Sequence, residues 1–276
     1  MIRRFRLRSL LGTLLCCPPF VAGAQTLPPV PALIRQVEAN QLKLDRTRES
    51  YTYREIQVMH ELDKHGAIKK QESREYNVFY VNGHPIQRLM RRDGNALSAS
   101  EEAKETAHIT GKVQLAQQTP PGDPLNTRHQ VSVSRLLQIQ HFFNERRVTV
   151  DNRPMIAVDF RGDASAATHG IAEDASKHLS GTLWIDEKDL QVRRVDATLD
   201  SPLHLELGLV SLSTGSNFTF DQKLINNEVW LPTGATVHIE AKAAIFFGYH
   251  IQVQITDDQY HRFQASAIQQ PGASMN

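Results

Sequence analysis

The chain has 276 residues, 40% of them hydrophobic, with 31 basic and 30 acidic side chains and only two cysteines. That length and apolar content suffice for one large core, and the mixed-sign, nearly neutral surface gives no electrostatic reason to expect nucleic acid as a partner. Both thiols, Cys16 and Cys17, lie near the N-terminus, so the rest of the chain can neither form an internal disulfide nor use a cysteine nucleophile.

The opening stretch MIRRFRLRSLLGTLLCCPPFVAGAQT carries Arg3, Arg4, Arg6 and Arg8, then an apolar middle from Leu10 to Val21, then the small residues Ala22-Gly23-Ala24. This is the layout of a secretory signal peptide, which predicts a signal over residues 1–24 with cleavage after Ala24. The apolar run is too short, and too interrupted by Pro18 and Pro19, for a membrane span, and nothing later in the chain approaches one. Leu15 and Cys16, the residues preceding the two cysteines, are not the small residues that lipidation requires. Four arginines and no acids would leave with the signal, so the mature chain would hold 27 basic against 30 acidic residues, a net charge of −3.

From Pro31 to about Asp45 the residues Leu33, Ile34, Val37, Ala39 and Leu42 recur near helical spacing and predict one amphipathic helix. The texture then changes to strand and turn. SYTYREIQVMHEL, the turn DKHG, AIKKQESREYNVFYV, Asn82-Gly83, HPIQRLMRR and Asp93-Gly94 predict a meander of at least three strands, because Asn-Gly and Asp-Gly tolerate positive φ. Ser98 and Glu101 have capping-box spacing, and a second helix is expected over Glu101 to Ala107. The segment from Ala116 to Thr127, with three prolines and a glycine, reads as an exposed loop. A third helical pattern runs through SVSRLLQIQHFF, and RRVTVDNRPMIAVDFRGD reads as a hairpin turning at Asp151-Asn152-Arg153. Asp163 to His178 is small, polar and irregular. Residues 25–265 are expected to form a single domain, and residues 266–276 a disordered tail.

Everything beyond Leu179 reads as strand. Leu203, Leu205, Leu207 and Leu209 alternate with polar residues or glycine; so do Tyr249, Ile251, Val253 and Ile255, the pair Val237 and Ile239, and the pair Phe218 and Phe220. Such alternation is that of antiparallel sheet with one face covered. About ten strands and three helices, without regular alternation between them, give an α+β, mainly β class: one large curved antiparallel sheet or an unclosed β-barrel, with the helices as a lid. In GTLWID the run Leu183-Trp184-Ile185 requires cover on both faces of one strand.

No hydrolase elbow, phosphate-cradling loop or zinc-binding helix motif occurs. His204, Glu206, His238, Glu240 and His250 fall at wet-face positions and read as solvent-facing, so no metal is expected. Asp186, Glu187 and Asp189 sit where a turn is required, and they are expected to stay solvated there. No catalytic residue and no cofactor is expected. What remains is apolar surface. A sheet of about ten strands spaced about 4.8 Å apart is some 45 Å wide, whereas one helix covers about 10 Å. Either the sheet curls on itself or part of the face is left for a ligand, with an ordinary filled core as the plain alternative. The candidate ligand contacts are Trp184, Leu203, Leu205, Leu207, Phe218, Phe220, Trp230, Ile239, Ile251 and Val253.

Three phrases carry a resemblance: GTLWID with VRRV after the turn (Gly181 to Asp186, Val192 to Val195), NEVWLPTG (Asn227 to Gly234) and DDQYHRF (Asp257 to Phe263). With the order of elements from about Pro31 to Phe263, they resemble the periplasmic lipoprotein-carrier group that includes LolA, LolB and the related domain of RseB. The resemblance implies a periplasmic, unclosed β-barrel whose apolar concavity holds acyl chains, with no catalytic residue and no metal. The expected function is therefore non-enzymatic binding of a lipid, an acylated protein or another apolar ligand. An envelope protein-protein interaction or stress-sensor module on the same fold is the alternative, and a hydrolase the third reading.

Overall fold

The computed structural model describes residues 26–121, 123, 125, 133–205, 210–243 and 247–263. The expected signal peptide, the tail and much of the Pro-rich loop lie outside them. Among the described residues, thirteen strands form one antiparallel sheet that does not close into a barrel, and there are four helices. No described helix is long and apolar enough to cross a membrane.

Helix α1 (Val30–Arg48) leads into the predicted meander, β1 (Tyr51–Leu62), β2 (Ile68–Val81) and β3 (His84–Arg92). Its turns are made as the sequence requires: Gly66, Asn82, Gly83, Asp93 and Gly94 all have positive φ. The short β4 (Asn95–Ala96) follows, and then α2 (Ala99–Gln118) starts on the Ser98–Glu101 capping box. Helix α2 runs further than expected, so Ala116 to Gln118 are its last turn and not part of a loop. Ala116 is fully buried, and Asn82 Nδ2 donates to the carbonyls of Ala116 and Thr119. The helix stops only where Pro120 forbids a further turn.

Helix α3 (Val133–Gln138) also departs from expectation. It ends before the phenylalanines, and β5 (Gln140–Val150) begins there. Phe142 faces Phe160 of β6 (Arg153–Gly162) across the ladder, with ring centroids 6.1 Å apart. An aromatic pair on neighbouring strands outweighs the helical spacing that Val133, Leu136 and Leu137 suggest. The hairpin turn between β5 and β6 falls at Asp151 and Asn152, both at positive φ. Within the segment expected to be irregular lies α4 (Ile171–Ser176), whose buried Glu173 accepts from Arg135 at 3.1 Å and ties this short helix to α3.

Strands β7 (Leu179–Asp186), β8 (Val192–Leu199), β9 (Leu203–Leu205), β10 (Val210–Leu212), β11 (Asn217–Ile225), β12 (Val229–Ala243) and β13 (Phe247–Arg262) complete the sheet. Its order is β4-β3-β2-β1-β13-β12-β11-β8-β7-β6-β5, and β10 pairs with the far end of β12 and with β9. The count exceeds ten because β4 is too short to show a period, and because the alternating segment that begins at Leu203 supplies not one continuous strand but two, β9 and β10, which pair antiparallel with each other.

The main core lies between the sheet and two helices. Val30, Leu33, Ile34 and Val37 of α1 and Leu136 and Leu137 of α3 pack on Ile156, Val158 and Phe160 of β6, Leu183 and Ile185 of β7, and Val195 and Ala197 of β8. Helix α2 lies on the opposite face of the meander, where Arg88 pairs with Glu102 beside the fully buried Ile86.

Candidate functional site

Directly opposed residues of an antiparallel ladder share a face, so the registers trace rows across the helix-bearing side of the sheet. One row runs Ala197, Phe218, Val237, Val253, Met59 from β8 to β1; the next runs Val195, Phe220, Ala235, Ile255, Gln57. A third joins Ile239, Ile251 and Glu61. The alternating segments of the C-terminal half are thereby set edge to edge as one apolar face.

The helices cover only part of it. Phe218 and Phe220 lie against the rim of the main core, whereas Ile239, Ile251, Val253, Ile255 and Met59, further along the rows, are half-buried. Strands β1, β2, β12 and β13 are the longest in the sheet, with 12, 14, 15 and 16 residues, and this part of the face is built on them. A hollow of about 90 Å³ lies there, lined by Gln57, Met59, Glu72, Arg74 and Val253. Small-molecule pockets run from about 300 to 1,000 Å³, so this is a strip with a dimple, not a chamber.

The other candidates separate. Leu203 is buried, Leu205 pairs with Val210 in the ladder, and Leu207 lies outside the described residues. Trp184 is on the wrong face for the strip: it pairs with Ala157 and Arg194 on the side away from α1, and the Arg194 guanidinium lies 5.8 Å from its ring centroid. Leu183 and Ile185 face the core instead. Trp230 is committed elsewhere. Its Nε1 donates to Asp189 Oδ2 at 3.0 Å, and Arg153 lies 5.4 Å from the ring.

The turn acids therefore need correcting. Asp186 is fully buried; it pairs with Arg153 and accepts from the backbone N–H groups of Lys188 and Asp189 at 3.1 and 2.7 Å. An Arg153 fork reaching both Asp186 and Asp189 clamps the β7–β8 turn to the start of β6. Glu187 stays nearer solvent, paired with Arg147. These charges are structural, and burial of Asp186 is permitted because a cation and two N–H donors replace its water.

The wet-face histidines do not assemble. His238 Nε2 lies 3.4 Å from Glu240 Oε1, and Glu240 faces His250 across the ladder, but among the described residues no three metal-ligating side chains come together.

One constellation escaped the sequence reading. Glu55 of β1 and Asp257 of β13 stand directly opposite each other on the helix-bearing face, two residues along from Gln57 and Ile255. Each is only 6% exposed. Glu55 Oε1 accepts from Gln57 Nε2 at 2.6 Å and from Gln87 Nε2 at 2.7 Å, while Asp257 Oδ1 has no hydrogen-bond partner among the described residues. Burial, the Glu55 charge and the Asp258 charge push the Asp257 carboxyl up to about 7, and burial raises Glu55 as well. Asp258, pointing to the other face, is held low by the Arg54 fork at 2.8 and 2.7 Å. The available signal was Glu55 itself, an acid at the period-2 position that continues Tyr51 and Tyr53.

No family model matches the chain, and no curated protein matches it. Among solved structures it is similar to the crystal structure of a DUF1329 family protein from Desulfovibrio piger, at 10% identity and a TM-score of 0.35, over 87% of this chain and 95% of that one. A likeness so remote carries no functional information.

Proposed function

We propose that the chain is a non-enzymatic binding protein of the periplasm whose ligand is a lipid, the acyl chain of an acylated protein or a similar apolar molecule, laid along Ile239, Ile251, Val253, Ile255 and Met59. The observation that supports this is the row of half-buried apolar residues continuing, in register, from a filled core onto long strands that the described helices leave uncovered. A contiguous apolar row that stays only half-buried leaves surface for an interaction partner. Each buried methylene contributes about 0.8 kcal/mol, so a chain of about sixteen carbons gains roughly 10 kcal/mol before its ordering cost, without any polar contact.

The mature protein, purified and extracted for mass spectrometry, should release a lipid, and it should bind a fluorescent fatty-acid analogue that unlabelled lipid displaces. Val253→Asp should weaken that binding about ten-fold or more, since a carboxylate then faces the chain. An empty extract together with no displacement would sink the reading.

A further inference from the structure

The strip has a polar end. Along the β1–β13 ladder the same-face pairs run Ile251/Glu61, Val253/Met59, Ile255/Gln57 and then Asp257/Glu55. At about 3.4 Å per residue, the distance from Ile251 to Asp257 is about 20 Å. A ligand lying along the apolar residues would bring one end to the two buried carboxyl groups.

Among the described residues, those groups lack a counterion. Glu55 receives the two glutamine amides, Asp257 Oδ1 receives nothing among the described residues, and neither carboxyl is lowered by a nearby cation. The charged groups facing them are few. From β2 come Lys70, Glu72 and Arg74, with Glu72 paired to Lys70 at 2.5 Å and to Arg74 at 3.4 Å; from β1 comes Glu61, paired with Lys69. Aromatic rings pack alongside: Tyr53 lies 5.6 Å from Tyr260 and 6.3 Å from Tyr80, centroid to centroid. Two facing carboxyls and a tyrosine cluster match an ammonium group, which donates three hydrogen bonds and is attracted to ring faces. A carboxylate or phosphate head would instead bring a third negative charge into the same place.

Building on the strip reading above, we propose that Glu55 and Asp257 bind the head of the ligand, and that this head is a primary ammonium group on a long apolar chain. Asp257 Oδ1, buried and unpartnered, is the acceptor the ammonium would satisfy, and the unlike pair of carboxyls would then share one cation.

The test uses three probes of one chain length, dodecylamine, dodecanol and dodecanoate, titrated into the mature protein at pH 8. The amine should bind about ten-fold more tightly than the alcohol, as one charge-assisted contact allows, and dodecanoate should bind most weakly. In Asp257→Asn and in Glu55→Gln the amine should lose most of that advantage while dodecanol binds as before. Thermal unfolding of both variants checks that they fold, and two isosteric changes guard against loss of one. Equal binding of amine and alcohol, or an advantage that survives in both variants, overturns the assignment of the head group alone. If none of the three binds, the strip reading fails and takes this one with it.

Discussion

Two parts of one sheet face use the same alternation of side chains for different ends. On β6, β7 and β8 the inward residues, such as Ile156, Leu183, Ile185 and Val195, are sealed under α1 and α3. On β12, β13 and β1 the residues of the same face, Ile239, Ile251, Val253 and Met59, remain half-buried. Hydrophobicity and period are alike in both parts. What differs is the cover, and it differs because α1 crosses one end of the face. It is held there by Arg48, whose Nε donates to the Trp230 carbonyl at 3.3 Å and whose guanidinium reaches Gln222 Oε1, and by Asn40, which donates to the Asp189 carbonyl. A helix fixed at that end cannot also cover the far halves of strands up to 16 residues long.

This contrast can be broken by mutation. Ile185→Ala removes a fully buried side chain from the sealed part, and its cost should lie in the upper half of the roughly 2–5 kcal/mol expected for such a cavity. Urea unfolding measures it, and a loss no larger than that of a surface change would mean the core is not packed as described.

The next effect concerns the acid pair. Asp257, pushed up to about 7 chiefly by burial, stands above the value of about 3.9 it has in the unfolded chain. Its contribution to stability is therefore fully present below about pH 4 and is lost as the pH rises through about 7, roughly 4 kcal/mol in all. Asp257→Asn should remove this loss, so that the variant matches the wild type near pH 4 and exceeds it at pH 8. Urea midpoints at the two values decide it; parallel curves would show that the pair does not titrate in this way.

The smallest effect is expected in the half-buried part of the face. Val253→Ala in the uncovered strip should cost about 1 kcal/mol or less, because the side chain is only partly buried when folded. Should Val253→Ala destabilise the protein as much as Ile185→Ala does, the strip would be core and the distinction between the two parts would vanish.

Much of the architecture is legible in short stretches of chain. Asn82-Gly83, Asp93-Gly94 and Asp151-Asn152 specify their turns because few other residues accept positive φ there, and Ser98 with Glu101 starts α2 as its spacing requires. Local reading failed where a distant partner decided the outcome. Phe142 continues a helical pattern but joins β5 because Phe160 waits on the neighbouring strand. Asp186 belongs to a turn and should be wet, yet Arg153 of another hairpin reaches it and closes it off. Trp184 and Trp230, equally prominent as aromatic residues, prove to be a ring beneath Arg194 and a buried strut on Asp189.

The candidate site shows the same division more sharply. Alternation by itself determined that Phe218, Phe220, Ile239, Ile251 and Val253 would share the apolar side of a sheet, since side chains on a strand change face with every residue. It could not determine that β1 lies beside β13, a pairing of the first long strand with the last. Only that long-range closure sets Glu55 opposite Asp257 and runs the apolar rows on to Met59. Which apolar residues are sealed, which stay open and which acids lose their water are properties of the assembled layers, because burial depends on what arrives from elsewhere in the chain and not on the residue's own neighbours in sequence.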